Sequence, residues 1–401
     1  MPSDRRLIYA AAFVRAVAVG LIGVLFSLYL VTRGLRAAQI GFLVAAGLAG
    51  SAAGTFGVSF WADRIGRRKC LLFLSLCMAA GGVALALFQN FAALAGACFF
   101  GMVNSFGRER GAIHTLEQAI LPSAVPDRQR TNTFAWYNVI LDAGLAVGSL
   151  LGSLPVLLRR EFGMEGLASY RAALFLYSGL IALCLFLYAR LSPQAEAHGP
   201  SLWHQISPAS RRTITRLSLL FGFDSLAGGF LPGSLIAYWF FKRFGVGEEL
   251  LWPLFFAGHV ANAFSHLGAA WLSRRIGLVR TMVFTHIPSS IFLIALPFIP
   301  TLPMAVLLYI ARECLVEMDL PTRQSYVMAV VAPGERTIAS GVTNLTRLVA
   351  WTVAPSFAGL IMNSVAVGMP LVIGGGMKIL YDALLFRSFH RLHPPEEVKP
   401  C

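Results

Sequence analysis

The chain has 401 residues, of which 57% are hydrophobic and only 13% are charged. A soluble domain carries about 25% charged residues, so this composition argues against a soluble protein and favours a membrane protein. The formal net charge is +14. Because the basic residues lie in short gaps between apolar runs, this charge is typical of the positive-inside bias, and no nucleic-acid partner is expected.

The apolar runs predict twelve membrane-spanning helices, since a helix needs about 20 mostly apolar residues to cross a bilayer. The runs do not alternate in polarity, as the strands of a membrane barrel do. The first run is too long for a signal peptide and is predicted to be retained. The predicted spans are 7–31, 39–61, 70–89, 91–121, 131–158, 168–190, 213–241, 249–272, 278–299, 303–331, 337–363 and 367–388.

A polar, proline-containing stretch divides the predicted spans into two groups of six. We therefore predict an all-α membrane protein with an N-terminal six-helix bundle at 1–190 and a cytoplasmic linker at 191–212. A C-terminal six-helix bundle with a short cytoplasmic tail is predicted at 213–401.

Two short motifs recur at similar places in the two halves. Arg64-Ile65-Gly66 recurs as Arg275-Ile276-Gly277 with an offset of 211 residues. Arg130-Thr131 and Asn138 recur as Arg336-Thr337 and Asn344 with an offset of 206 residues. The pattern predicts a duplicated six-helix unit, a device found in transporters.

The distribution of basic residues between the predicted spans indicates the orientation. With an even number of spans, the side that holds both termini carries 19 arginine and lysine residues and the opposite side carries 7. The positive-inside rule then predicts a multi-pass protein of the inner (cytoplasmic) cell membrane with both termini in the cytoplasm.

Residues 59–68, which read Ser-Phe-Trp-Ala-Asp-Arg-Ile-Gly-Arg-Arg, resemble the signature between the second and third helices of the major facilitator superfamily. Ser59 stands where that signature usually has glycine. The resemblance covers the whole chain and implies a bacterial-type transporter with twelve helices in two pseudo-symmetric bundles around a central cavity. It also implies a gating loop, whose charges hold one face closed until the halves rock, formed by Asp63, Arg64, Gly66 and Arg67.

Two further resemblances are partial. Arg108, Arg110 and Gly111 resemble the intramembrane arginine motif of the family, although the spacing differs. A glycine-proline pattern in span five resembles the motif of the antiporter subgroup. Small residues four apart also occur wherever two membrane helices pack closely, so helix packing is the competing interpretation. This pattern comprises Gly144, Gly148, Gly152 and Pro155.

An ionisable residue inside a predicted span indicates a function or a compensating partner, because a charge at the bilayer centre costs at least about 2.5–3.5 kcal/mol. The family resemblance implies that spans one, four, seven and ten line the cavity, and most of these charges lie there. The predicted substrate or coupling residues are Arg15, Arg110, His114, Glu117, Asp224, Arg312, Glu313 and Glu317. Structural ion pairs are the competing interpretation, favoured for Asp319, Arg323, Lys378 and Asp382.

Some of these residues have the properties that a proton switch needs. A buried carboxylate can bind a proton and lose it when an arginine approaches. Glu117 shares a helix face with Arg110, and Glu313 is adjacent to Arg312. Asp224 stands alone in its span, which favours a protonated form.

These features predict a secondary transporter, with proton-coupled efflux of a small organic or drug-like compound as the first hypothesis. The alternatives are proton-coupled uptake of a small metabolite or organic anion, an intramembrane enzyme, and a receptor without flux. The histidines are scattered and no P-loop occurs, so we predict no catalytic residue, no metal site and no cofactor. The expected partners are a small-molecule substrate, protons and the lipid bilayer, and the protein is predicted to be a monomer.

Overall fold

The computed structural model describes residues 2–35, 37–103, 111–126, 129–196, 206–230, 233–246, 248–364 and 366–389. Within these ranges the chain is helical and contains no strand, so the predicted all-α class is confirmed there. The α-helices are α1 (Pro2–Thr32), α2 (Ala37–Ile65), α3 (Arg67–Leu87), α4 (Phe91–Gly101), α5 (Ala112–Ile120), α6 (Arg130–Leu151), α7 (Leu154–Phe162), α8 (Gly166–Tyr188), α9 (Pro208–Gly229), α10 (Gly233–Phe244), α11 (Glu248–Ile276), α12 (Leu278–Ala295), α13 (Leu302–Val316), α14 (Asp319–Ala329), α15 (Arg336–Ser364) and α16 (Met369–Phe389).

Seven segments of the described residues are helical, long and apolar enough to cross a membrane. They establish a multi-pass membrane protein, while the twelve-helix arrangement in two bundles stays a prediction. The seven segments are Asp4–Gly23, Phe42–Ile65, Arg67–Leu87, Arg130–Phe162, Gly166–Tyr188, Leu278–Phe298 and Met369–Phe389.

Several predicted spans consist of two shorter helices. The span predicted at 303–331 is interrupted at Glu317 and Met318, between α13 and α14. The span predicted at 131–158 is interrupted between α6 and α7, where Pro155 occupies the first turn of α7 and its missing N–H costs no hydrogen bond. Interrupted helices expose backbone groups that transporters use to bind solutes and ions.

The chain forms two compact units. Unit 1 comprises Met1–Ala124, Ile140–Gln205 and Gly334–Asn344, and unit 2 comprises Val125–Val139, Ile206–Pro333 and Leu345–Cys401. The first turns of α6 therefore belong to unit 2, and the first turns of α15 belong to unit 1. The division predicted from the sequence, with a linker at 191–212, stays a prediction.

In unit 1, α8 packs against α1 and α3, and α4 packs against α2 and α3. Helix α6 approaches α1 through two glycines. A Cβ atom on Gly144 would lie 2.7 Å from the carbonyl oxygen of Phe13, and one on Gly148 would lie 2.9 Å from the amide nitrogen of Leu21. The close approach of α1 and α6 thus accounts for these two glycines by packing alone.

In unit 2, α12 packs against α13, α14 and α16, and α9 packs against α16. An aromatic cluster fills one end of its core. The ring of Phe240 lies 5.0 Å from that of Trp239 and 5.9 Å from that of Tyr309, with near-perpendicular planes. Such edge-to-face pairs add to the hydrophobic stabilisation of a core.

The two repeated Arg-Ile-Gly motifs form the same tight turn. Gly66 joins α2 to α3 with a φ of 108°, and Gly277 joins α11 to α12 with a φ of 90°. Each glycine amide donates to the carbonyl four residues earlier, at 2.8 Å for Gly66 and 2.9 Å for Gly277. Residues other than glycine rarely adopt these positive φ values, so the turn explains the recurrence of glycine.

Candidate functional site

A buried ion pair joins α1 to α5 in unit 1. The guanidinium of Arg15 donates to both carboxylate oxygens of Glu117, at 3.0 and 2.6 Å. The hydroxyl of Tyr188 donates to Glu117 at 2.7 Å and accepts a hydrogen bond from Arg15. All three side chains are fully buried. This bidentate geometry compensates both charges within one small cluster.

Glu117 has a partner that the sequence did not predict. Arg15 from another helix pairs with it, while Arg110, the neighbour predicted from the spacing, lies outside the described residues. His114, on the same helix as Glu117, is buried and shares a hydrogen bond of 2.7 Å with Gln118. Spacing along one helix could not indicate the pairing with Arg15, because that pairing is made between helices.

A larger ionic cluster lies in unit 2 and centres on Asp224 of α9. Lys378 of α16 donates to one carboxylate oxygen at 3.0 Å, and Arg323 of α14 donates to the other at 3.1 Å. Arg323 also forms an ion pair of 2.9 Å with Asp319. Asp224 was predicted to be alone in its span, and the two cations that compensate its charge come from other helices.

The same cluster extends to a buried histidine on α12. His286 Nδ1 lies 3.0 and 3.1 Å from the two carboxylate oxygens of Asp382, and its Nε2 lies 3.1 Å from Lys378 Nζ. Beside Asp224, Arg347 of α15 donates to Ser225 at 3.0 Å. Five helices of unit 2 thus contribute to one connected group of charges.

The predicted residues of α13 form a second polar group in unit 2. Glu313 is buried and accepts hydrogen bonds from Arg312 and, at 3.0 Å, from Asn262 of α11. Glu317 lies at the break between α13 and α14 and is also buried. Asn262 was not predicted from the sequence, because an amide in an apolar run carries no signal until its partner is known.

The predicted gating loop is an ordered network in unit 1. Asp63 pairs with Arg67 at 2.9 Å, and Thr337 at the start of α15 donates to Asp63 at 2.9 Å and accepts from Arg67 at 2.6 Å. Glu196 accepts from the backbone amides of Arg67 and Arg68 at 2.5 and 3.2 Å. Arg64 is exposed and Gly66 forms the turn, so the network rests on Asp63 and Arg67.

Two amide pairs stand at corresponding places in the units. In unit 1, Asn344 donates to Gln118 at 3.1 Å, and in unit 2, Asn138 donates to Gln324 at 2.6 Å. Gln118 and Gln324 are 206 residues apart, the offset of the Arg-Thr motifs. Extending the repeat back to these glutamines is the signal that would have identified them.

The last two residues of the predicted glycine-proline pattern lie at the junction of α6 and α7. Gly152 follows the last residue of α6, and Pro155 is buried in the first turn of α7. Tyr188 and His286 were missed by the sequence analysis. Each becomes apparent only when helices distant in sequence pack together.

The structure places buried ion pairs within apolar, membrane-spanning helices. This combination is typical of membrane transporters. The family model of the Major Facilitator Superfamily matches residues 8–355. The chain therefore belongs to the Major Facilitator Superfamily and is a transporter, not an enzyme, as the signature at 59–68 predicted.

Comparisons with individual proteins agree with this family. An uncharacterized membrane protein of Saccharomyces cerevisiae, YJR124C, is 24% identical over 420 residues, which cover 96% of this chain and 94% of the yeast protein. Among solved structures, the human organic anion transporter MFSD10 is 18% identical with a TM-score of 0.72, covering 96% of this chain and all of that one. The proton:xylose symporter XylE is 13% identical with a TM-score of 0.74, covering 98% and 97%. At these identities the solved structures establish the fold.

Proposed function

We propose that this protein is a proton-coupled secondary transporter that exports a small organic solute by alternating access. The observation that carries the proposal is the presence of a buried, polar cluster in each unit, Arg15–Glu117 in one and Asp224–Arg323–Lys378 in the other. Replacing such ion pairs by apolar residues often stabilises a protein, so their presence within membrane helices favours a role beyond stability.

Carboxylates in these clusters have the partners that a coupling mechanism requires. Glu117 and Asp224 are each bound by a cation from another helix, so a change in helix packing would alter the charge balance around them. A proton can replace the cation as the compensating charge. This exchange would link proton binding to the movement of α1 and α5, or of α9 and α14.

The membrane and orientation remain those predicted from the charges. We propose that the protein resides in the inner membrane with both termini in the cytoplasm, because 19 of the basic residues between spans lie on that side. Fusion of a periplasmically active and a cytoplasmically active reporter to the C-terminus tests this placement. Activity of the cytoplasmic reporter alone is expected.

A second candidate is uptake of an organic anion. In the described residues, Arg312 Nε and Asn262 Oδ1 are buried without a hydrogen-bond partner. The free Nε–H of Arg312 suits a carboxylate, because guanidinium groups bind carboxylates with charge-assisted hydrogen bonds. The solved relative MFSD10 is itself described as an organic anion transporter.

Flux measurements in proteoliposomes with an imposed pH gradient test the proposal. The panel comprises organic cations, zwitterions and organic anions, and wild type is compared with Glu117→Gln and Asp224→Asn. We expect gradient-driven flux in the wild type and about a tenfold loss in each variant, which corresponds to about 1.4 kcal/mol.

The matched control is Glu161→Gln, which removes an exposed carboxylate from α7 and should leave flux unchanged. Proton coupling would be overturned if the flux did not depend on the pH gradient and was the same in the wild type and both variants. The direction of the gradient that drives accumulation separates export from uptake.

A further inference from the structure

We propose that His286 binds a proton in the coupling mechanism next to the carboxylate of Asp224, and that Lys378 and Asp224 transmit its charge to neighbouring helices. This inference rests on the proposed proton-coupled function and names a site for it. His286 is only 1% exposed. It was absent from the residues that sequence analysis selected, and its neighbours come from helices far apart in the chain.

The hydrogen bonds around His286 fit a neutral imidazole. A lysine ammonium has three donors and no acceptor. Lys378 Nζ lies 3.1 Å from Nε2 of His286, so beside a charged lysine Nε2 is the acceptor and the proton is on Nδ1. Nδ1 lies 3.0 Å from Asp382, to which its N–H can donate.

Groups from other helices of unit 2 lie around this imidazole. Asp224 Oδ1 of α9 lies 3.9 Å from Nε2, and the ring of Tyr381 meets the imidazole edge-on at 6.0 Å. On α12 itself, Arg280 is exposed at the first turn. The cluster continues through Lys378 and Asp382 on α16, Asp319 and Arg323 on α14, and Arg347 on α15. The helices α11 and α13, which also pack against α12, carry the mutually bonded Arg312, Glu313 and Asn262, and Glu317 follows the last residue of α13.

A proton on His286 adds a positive charge next to a lysine. Asp224, Asp319 and Asp382 lie among the cations Arg323, Arg347 and Lys378, and the buried carboxylate of Glu317 also acts on Arg323. Lys378 Nζ lies 3.1 Å from Nε2 of His286, so an imidazolium would face an ammonium at hydrogen-bonding distance. Like charges this close repel each other, so the contact between His286 and Lys378 must change.

The rearrangement follows from the geometry. The proton forms a bond to Nε2, whose lone pair can then no longer accept, and the hydrogen bond from Lys378 is lost. The new Nε2–H needs an acceptor, and Asp224 Oδ1, at 3.9 Å, is already bound by Lys378 at 3.0 Å. The imidazolium and the ammonium therefore compete for one carboxylate oxygen. Asp224 also binds Arg323, so the competition reaches α9 and α14 together.

Protonation can be observed directly, without knowledge of the substrate, by solid-state NMR of purified protein with 15N-labelled histidine in lipid bilayers. Between about pH 8 and 5, one ring in the wild type should change from the neutral Nδ1–H form to imidazolium. This signal should be missing in His286→Gln. The glutamine amide can donate to Asp382 and accept from Lys378, so the neutral network and the fold should persist.

The matched control is His266→Gln, which removes an equally buried histidine of unit 2, on α11. It should retain the titrating signal. Proton uptake over the same pH range, measured with a soluble pH dye, should fall by one proton per molecule in His286→Gln. A His286 ring that stays neutral throughout, or equal uptake in wild type and His286→Gln, would overturn the assignment.

Flux of a solute identified in the screen separates this inference from the proposed function. In His286→Gln, we expect loss of accumulation driven by a pH gradient, whereas His266→Gln should accumulate the solute as the wild type does. Gradient-driven accumulation that persists in His286→Gln would overturn the role of His286 alone. Absence of such accumulation in the wild type would instead overturn proton coupling itself.

Discussion

The two units carry a buried ion pair at corresponding positions, but with the charges exchanged. Unit 1 pairs Arg15 with Glu117 at 2.6 Å, and unit 2 pairs Asp224 with Arg323 at 3.1 Å. Arg15 and Asp224 are 209 residues apart, and Glu117 and Arg323 are 206 residues apart, close to the offsets of the repeated motifs. The packing of these helices requires a compensated pair, and either polarity provides it.

The two pairs differ in how their charges are shared. In unit 1 both carboxylate oxygens of Glu117 are bound by Arg15, and Tyr188 completes the group. In unit 2 Asp224 is divided between Arg323 and Lys378, and the cluster continues to His286. A carboxylate shared between cations of two helices allows several arrangements, so unit 2 is the better candidate for a rearranging cluster.

The largest expected loss of stability comes from breaking the bidentate pair of Arg15 and Glu117. Glu117→Ala leaves Arg15 buried without its counter-charge, and we expect a loss of about 3–5 kcal/mol of stability, measured by thermal unfolding in detergent. The double variant Arg15→Glu with Glu117→Arg reproduces the polarity of unit 2 and should recover most of this loss. If the exchanged pair is no more stable than the single variant, the two positions are not equivalent.

A smaller loss is expected in the shared cluster. Asp224→Asn removes one charge, but Arg323 keeps Asp319 and Lys378 keeps His286, so we expect a loss of about 1.5–3 kcal/mol. The matched variant Glu117→Gln, also an amide for a carboxylate, should lose more in the same unfolding assay. The reverse order would show that unit 2 holds its carboxylate more tightly than unit 1.

The smallest effects concern the amide pairs. Gln118→Leu and Gln324→Leu each remove a buried hydrogen bond to an asparagine, and Gln118→Leu also removes hydrogen bonds with His114 and Ser340. We expect a loss of about 1 kcal/mol for Gln324→Leu and a larger loss for Gln118→Leu. Gln89→Leu at an exposed position is the control and should stay within about 0.5 kcal/mol. Equal losses would show that the hydrogen bonds of Gln118 with His114 and Ser340 add no measurable stability.

Local features of the sequence predicted the class of protein correctly. The apolar runs predicted helices, the Asp-Arg-Ile-Gly segment predicted the family, and the two recurring glycines proved to form the same turn. Partners on other helices were not predicted. The sequence placed Arg110 beside Glu117 and gave Asp224 no partner within its span, because spacing along one helix says nothing about which face meets another helix.

The sequence by itself determined that this chain is a helical membrane transporter of the Major Facilitator Superfamily. Its composition, its apolar runs and its loop signature all depend on residues that lie close together in the chain. Only the tertiary structure decided which charge compensates which. Arg15 and Glu117 are 102 residues apart, and Lys378 and Asp224 are 154 apart. Such pairs form only when helix packing brings distant side chains within hydrogen-bonding distance, and in lipid an uncompensated charge is too costly to remain.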